Sequence, residues 1–151
     1  MIVNPIPSGY HSLTPYLAVR GAATLIDFLK QAFEAKEIHR LAMPDGTIMN
    51  AEIKIGDSMV MIGEVPPGQI PFLCQIYHYV ADIDAVYKTA LKAGATSIRE
   101  PSDQFYGERN AAVKDPVGNS WWIATRKENL SPEEMAIRFE ALMKQKRPGG
   151  N

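Results

Sequence analysis

Apolar and polar residues alternate along much of the chain and switch to helical spacing in a few places. Residues 13–19 (Leu-Thr-Pro-Tyr-Leu-Ala-Val) predict a strand, with Pro15 suggesting an edge or a bulge. Arg20-Gly21 breaks it. Leu25, Phe28, Leu29 and Phe33 then form one apolar stripe and predict a helix over 22–35. Strands follow at 37–43 and 47–55, joined by the turn Pro44-Asp45-Gly46. In the second of these, Met49, Ala51, Ile53 and Ile55 share one face, and Asn50, Glu52 and Lys54 the other. Gly56-Asp57 turns the chain into a fourth strand over 58–63.

After the stiff linker 65–71 (Val-Pro-Pro-Gly-Gln-Ile-Pro) the order repeats. A strand is predicted over 72–80 and a helix over 82–93, with Ile83, Val86, Tyr87, Ala90 and Leu91 on its stripe. A short strand over 96–100, a loop over 101–107, and strands over 109–115 and 120–125 complete it. Asn50-Ala51-Glu52-Ile53-Lys54 recurs as Asn110-Ala111-Ala112-Val113-Lys114, and Gly56-Asp57-Ser58 as Gly118-Asn119-Ser120. The expectation is an α+β fold in one domain spanning 1–151. Two βαβββ modules, about 10–64 and 72–126, form a curved mixed sheet around a concave cavity, helices outside. Ser131-Pro132-Glu133-Glu134 reads as a capped start of an extra C-terminal helix over about 131–146. Its apolar residues, Met135, Phe139, Leu142 and Met143, pack either on their own domain or on a second subunit.

Composition narrows the function classes. A net charge of −1 gives no basic field for nucleic acid. No apolar run approaches a bilayer span and no signal-peptide pattern follows Met1, so no membrane partner is expected. The single cysteine, Cys74, fits a reducing compartment, and a cytoplasmic location is expected. There is no Cys/His cluster, phosphate-binding glycine loop or Ser-His-Asp order.

Three segments resemble a known family. They are Asn50 to Ser58, Tyr106-Gly107-Glu108-Arg109, and Asp115-Pro116-Val117-Gly118-Asn119-Ser120-Trp121. With the Val80-Ala81-Asp82-Ile83-Asp84 join, they resemble the vicinal oxygen chelate superfamily: glyoxalase I, bleomycin-resistance proteins and extradiol dioxygenases. The nearest subgroup in this respect is the PhnB-like, or glyoxalase-like, proteins. The resemblance implies a homodimer. It also implies that a divalent ion, where present, is held by His or Glu on the first and last strands of each module. The matching positions here are Thr14, Val60 (or Met61 after a one-residue slip), Gln75 and Trp122. None is a carboxylate or imidazole, so the metal site is expected to be lost, with no metal ligands and no cofactor.

Alternation places Tyr16, Asn50, Glu52, Gln75, Tyr77, Tyr79 and Trp122 on the concave side, an aromatic wall with polar fixings that suits a small organic molecule. Tyr106 and Arg109 join them as ligand-binding candidates. Arg109 clamps an anion or pairs with Glu108 or Asp115. Glu52 is the candidate catalytic base or ligand anchor, or else a solvated strand residue. The expected function is metal-independent small-molecule binding. The alternatives are a lyase or isomerase using Glu52 as base, and a drug-sequestering resistance protein.

Overall fold

A computed structural model describes residues 1–147 and 149. The first module runs β1 (Tyr16–Val19), α1 (Ala22–Phe33), β2 (Lys36–Ala42), β3 (Ile48–Ile55) and β4 (Ser58–Glu64). The second runs β5 (Gln75–Tyr79), α2 (Ile83–Lys92), β6 (Thr96–Asp103), β7 (Glu108–Lys114) and β8 (Ser120–Arg126), and α3 (Pro132–Lys146) follows. The strand orders are β1-β4-β3-β2 and β5-β8-β7-β6, so the two modules share one topology. In each, the first and last strands pair in parallel and the others are antiparallel. The fold is therefore the expected α+β pair of modules, its sheet present as two four-stranded halves with no ladder between them among the described residues.

One face of each sheet is buried against helices. Leu17, Val19, Ala51, Ile53, Ile55, Val60 and Ile62 point inward from the first sheet, and Ala111, Val113, Trp121 and Ile123 from the second. Both helices feed one continuous apolar cluster. Phe33, at the end of α1, reaches the second module, with ring centroids 5.0 Å from Trp121 and 4.9 Å from His78. Alternation then leaves the other face of each sheet open.

Three details depart from the sequence pattern. The β2–β3 register shifts between Leu41 and Ala42, so Ile48 is buried and Met49 stands outside the Ala51-Ile53-Ile55 row. Strand β6 continues through Pro101 to Asp103, where a loop was expected. It is an edge strand, and Pro101 falls in the register shift between Arg99 and Ser102, where no ladder hydrogen bond is needed. In β4, Val60 belongs to the core and Met61 faces outward, which is the slipped register.

Helix α3 has the expected capping box: Ser131 Oγ accepts from the Glu134 N–H and the Glu134 carboxylate from the Ser131 N–H. None of its residues is buried. It is tied to the second module by Arg138, which holds the Glu128 carboxylate at 2.7 and 3.0 Å, and by Phe139, whose ring lies 5.4 Å from that of Phe105.

Candidate functional site

The second sheet's open face carries the richest set of side chains. Gln75, Tyr77 and Tyr79 alternate outward along β5, and the register sets Tyr77 beside Trp122 and Tyr79 beside Ala124. On the far side of β8, Ala124 is paired with Asn110, while Glu108 heads β7. Strands two apart lie about 10 Å from one another, and a methyl group on the intervening strand leaves long side chains free to meet above it. Tyr77 and Tyr79 reach across. Their hydroxyls donate to the two oxygens of Glu108 at 2.5 and 2.6 Å. Asn110, with 0% exposure, donates its amide to the Tyr77 hydroxyl at 3.1 Å and the Tyr106 hydroxyl at 2.6 Å. Its Oδ1 has no hydrogen-bond partner among the described residues. Burial, with the Glu108 hydrogen bond behind it, pushes the Tyr77 phenol well above its usual range, and the same bond raises Tyr79. The Arg99 guanidinium lies 5.8 Å from the Trp122 ring centre. A cavity of about 570 Å³ opens at the edge of this face, lined by Tyr79, Phe105, Tyr106, Glu108, Leu130 and Met135 among others, so α3 forms part of its rim.

The first sheet's open face is the counterpart. Asn50 and Glu52 stand out from β3, opposite Leu41 and His39. Tyr10, from the segment before β1, donates its hydroxyl to Glu52 at 2.6 Å. Burial, then the Glu52 bond, pushes that phenol up to about 12. Asn50 Oδ1 is buried without a partner among the described residues, as in its repeat counterpart Asn110. Tyr16 lies over Gly63, where a Cβ would collide with its hydroxyl oxygen; only glycine admits the ring.

Seven of the nine expected ligand or catalytic residues thus occupy the open faces through strand alternation: Tyr16, Asn50 and Glu52 on one sheet, Gln75, Tyr77, Tyr79 and Trp122 on the other. Tyr106 joins the second group through Asn110. Among the described residues, hydrogen bonds connect side chains within each face and not between the two. Both faces are uncovered within the chain: Tyr16 is 48% and Tyr79 61% exposed. Arg109 does not belong to this site. It has the parity opposite to Glu108 and turns to the helix side, donating to Asp84 at 2.8 and 3.0 Å and to Asp103 at 3.3 Å. Its partners are neither Glu108 nor Asp115; it clamps the start of α2 to the sheet.

Glu108 and Asn110 are the site residues that sequence reasoning missed. The repeat offered a signal, because Asn110 is the counterpart of Asn50 and Glu108 shares its parity. The Asp115-to-Trp121 segment is a structural device instead. Asp115 Oδ1 accepts from the N–H groups of Val117, Gly118 and Asn119 at 2.8–3.0 Å. Its Oδ2 accepts from Asn119 Nδ2 at 3.1 Å and Trp121 Nε1 at 2.9 Å. Asn119 Oδ1 then holds the Cys74 N–H at 2.9 Å, which fixes the entry of β5.

The donor set does not fit a divalent transition metal. The outward positions on the strands concerned supply the Met61 thioether, the Gln75 amide and the Trp122 indole, and Thr14 lies just before β1. Among the described residues no three His, Cys, Asp or Glu side chains cluster closely enough to hold an ion.

The model of the Glyoxalase/Bleomycin resistance protein/Dioxygenase superfamily matches residues 10–123. The chain belongs to this superfamily. An uncharacterised protein of Mycobacterium bovis, Mb0911c, is 31% identical over 150 residues, covering 89% of this chain and 93% of its own. Rv0887c of Mycobacterium tuberculosis, also uncharacterised, is 31% identical over 89% of this chain and 84% of its own. Among solved structures, TioX from Micromonospora sp. ML1 superposes with a TM-score of 0.66 at 23% identity, covering 77% of this chain and 98% of its own. A Bacillus cereus protein described as a putative 3-demethylubiquinone-9 3-methyltransferase, PhnB protein, gives 0.64 at 16% identity, covering 76% and 99%. At these identities the structures establish the fold alone.

Proposed function

We propose that this superfamily member binds a small organic molecule on its open sheet faces and does so without a resident metal ion. The observation that carries the reading is the second face: Tyr77, Tyr79, Tyr106 and Trp122 provide aromatic surface beside Glu108 and Asn110. An apolar concavity with a few fixed polar groups is the general form of an organic-ligand site. The segments shared with PhnB-like proteins support a place in that subgroup. The exposure of both faces supports a homodimer, in which a second copy covers what one chain leaves open. The single cysteine, Cys74, suits a cytoplasmic protein.

Native mass spectrometry of cell-purified protein tests this directly. An organic mass should accompany the chain and be lost in Trp122→Ala and Tyr79→Ala. A chain that carries nothing, but takes up nickel or zinc at micromolar concentration in a manner weakened by Gln75→Ala or Trp122→Ala, would remove the reading.

One observation favours a second reading, a lyase or isomerase with Glu52 as base. Among the described residues Glu52 accepts one hydrogen bond, from Tyr10 to Oε1, and its Oε2 is the oxygen that would take a substrate proton. Turnover lost in Glu52→Gln with ligand affinity retained would support it.

A further inference from the structure

Each open face holds a carboxylate and a buried amide oxygen with unused acceptor capacity among the described residues. Glu108 accepts from two neutral phenols, and Glu52 from one. Among the described residues, neither carboxylate has a Lys, Arg or His nitrogen within ion-pairing distance, although six ion pairs form elsewhere in the chain. Asn50 Oδ1 and Asn110 Oδ1, at equivalent places in the repeat, are buried amide oxygens that accept no hydrogen bond among the described residues. Amide oxygens removed from water are normally matched by donors, and the two carboxylates, on half-buried residues, keep acceptor sites open to water or a ligand.

The built part of this pattern is on the second face. The Glu108 carboxylate keeps free lone pairs after serving both phenols. It lies among the rings of Tyr77, Tyr79 and Tyr106, at the wall of the 570 Å³ cavity. Aromatic faces attract a cation through their quadrupoles, as the protein itself does by laying Arg99 over Trp122. Of the two other charged groups at this cavity, Glu128 is paired with Arg138, whereas Arg126, opposite Glu108 in the β7–β8 register, gives its Nε–H to the Glu128 carbonyl at 3.3 Å and keeps its charge. The remaining wall, from Phe105, Leu130 and Met135, is apolar.

Resting on the binding role proposed above, we infer that the ligand of this face is an organic cation. It has a nitrogen head group rich in N–H donors, an amidine, guanidine or amine, on an aromatic or apolar body. The head group sits on Glu108 between the tyrosine rings, and the body lies against Phe105, Leu130 and Met135.

Benzamidine, benzamide and benzoate have nearly the same shape and differ in charge, so titrating the full chain with each by calorimetry isolates the class. Benzamidine should bind at least tenfold more tightly than benzamide, a difference of about 1.4 kcal/mol, and benzoate should be weakest. Glu108→Gln should abolish the tenfold preference and leave benzamide affinity within twofold. Glu133→Gln, which removes the same charge outside the cavity, should change neither. The parent comparison decides even if Glu108→Gln folds poorly. Benzamide binding as tightly as benzamidine, or a benzamidine affinity indifferent to Glu108→Gln, overturns the inference and leaves the binding role standing. If none of the three binds while cell-purified protein still carries an organic mass, the cationic class alone is wrong. If no mass is carried either, both fall.

Discussion

Replacing Asp115 by Asn tests whether the turn before β8 is a structural knot. The side chain is 4% exposed and its carboxylate accepts five hydrogen bonds. Asparagine keeps one carbonyl oxygen, which serves the three backbone N–H groups on Oδ1. Its amide nitrogen then replaces Oδ2 and meets two donors, Asn119 Nδ2 and Trp121 Nε1, on residues with 0% and 1% exposure. Flipping the amide transfers the conflict to the three backbone donors. Two buried donors left without acceptors cost about 1–3 kcal/mol each, so the substitution should destabilise by roughly 2–6 kcal/mol. With a urea slope of about 1–3 kcal/mol/M, the midpoint should fall by on the order of 1–3 M at unchanged slope. Tryptophan fluorescence and far-ultraviolet circular dichroism should report coincident transitions. Repeating the substitution in a Trp121→Phe background, which has no indole N–H to orphan, should reduce its cost by about 1–2 kcal/mol. An Asp115→Asn protein within about 0.5 kcal/mol of the parent would refute the reasoning, as would a cost unchanged in the Trp121→Phe background.

Further measurements address other parts of the molecule. Glu64 accepts from the Gly21 N–H at 3.0 Å and the Ala22 N–H at 2.7 Å, replacing a side-chain cap that Gly21 cannot supply. Glu64→Ala should therefore lower stability by about 1–2 kcal/mol in thermal melts, and Glu64→Gln by less. Burial depresses the His78 imidazole below its usual range, with Asp57 opposing weakly. Because the unfolded chain then binds the proton more readily, its contribution is fully present above about pH 6.5 and declines as pH falls toward the depressed value. Urea midpoints between about pH 7.5 and pH 5 should decrease, and His78→Gln should flatten part of that slope; a midpoint that rises on acidification contradicts the sign. The phenols of Tyr77 and Tyr79 should ionise above the usual tyrosine range in an absorbance titration at high pH, and Glu108→Gln should bring both down.

Much of this protein is legible from its residues because strand alternation is a local property. Once Ile76, His78, Trp121 and Ile123 point to the helices, Tyr77, Tyr79 and Trp122 must point away, whatever the sheets do. The repeat of Asn50 at Asn110 and the capping box at Ser131 are equally local, and both modules and the last helix follow from them. Where alternation is interrupted, local reading loses phase: the β2–β3 bulge moved Met49 out of its row, and the Val60 register slipped by one. The candidate site itself is a tertiary product. Tyr79 and Glu108 are 29 residues apart on strands that do not touch, and they meet because the order β5-β8-β7 puts the small Ala124 between them. Arg109 shows the reverse: sequence neighbours suggested Glu108 or Asp115, while the packing of α2 supplied Asp84. A residue's face follows from the two-residue period of its own strand, but its partners depend on which strands lie alongside and how much room they leave, and only the packed core decides that.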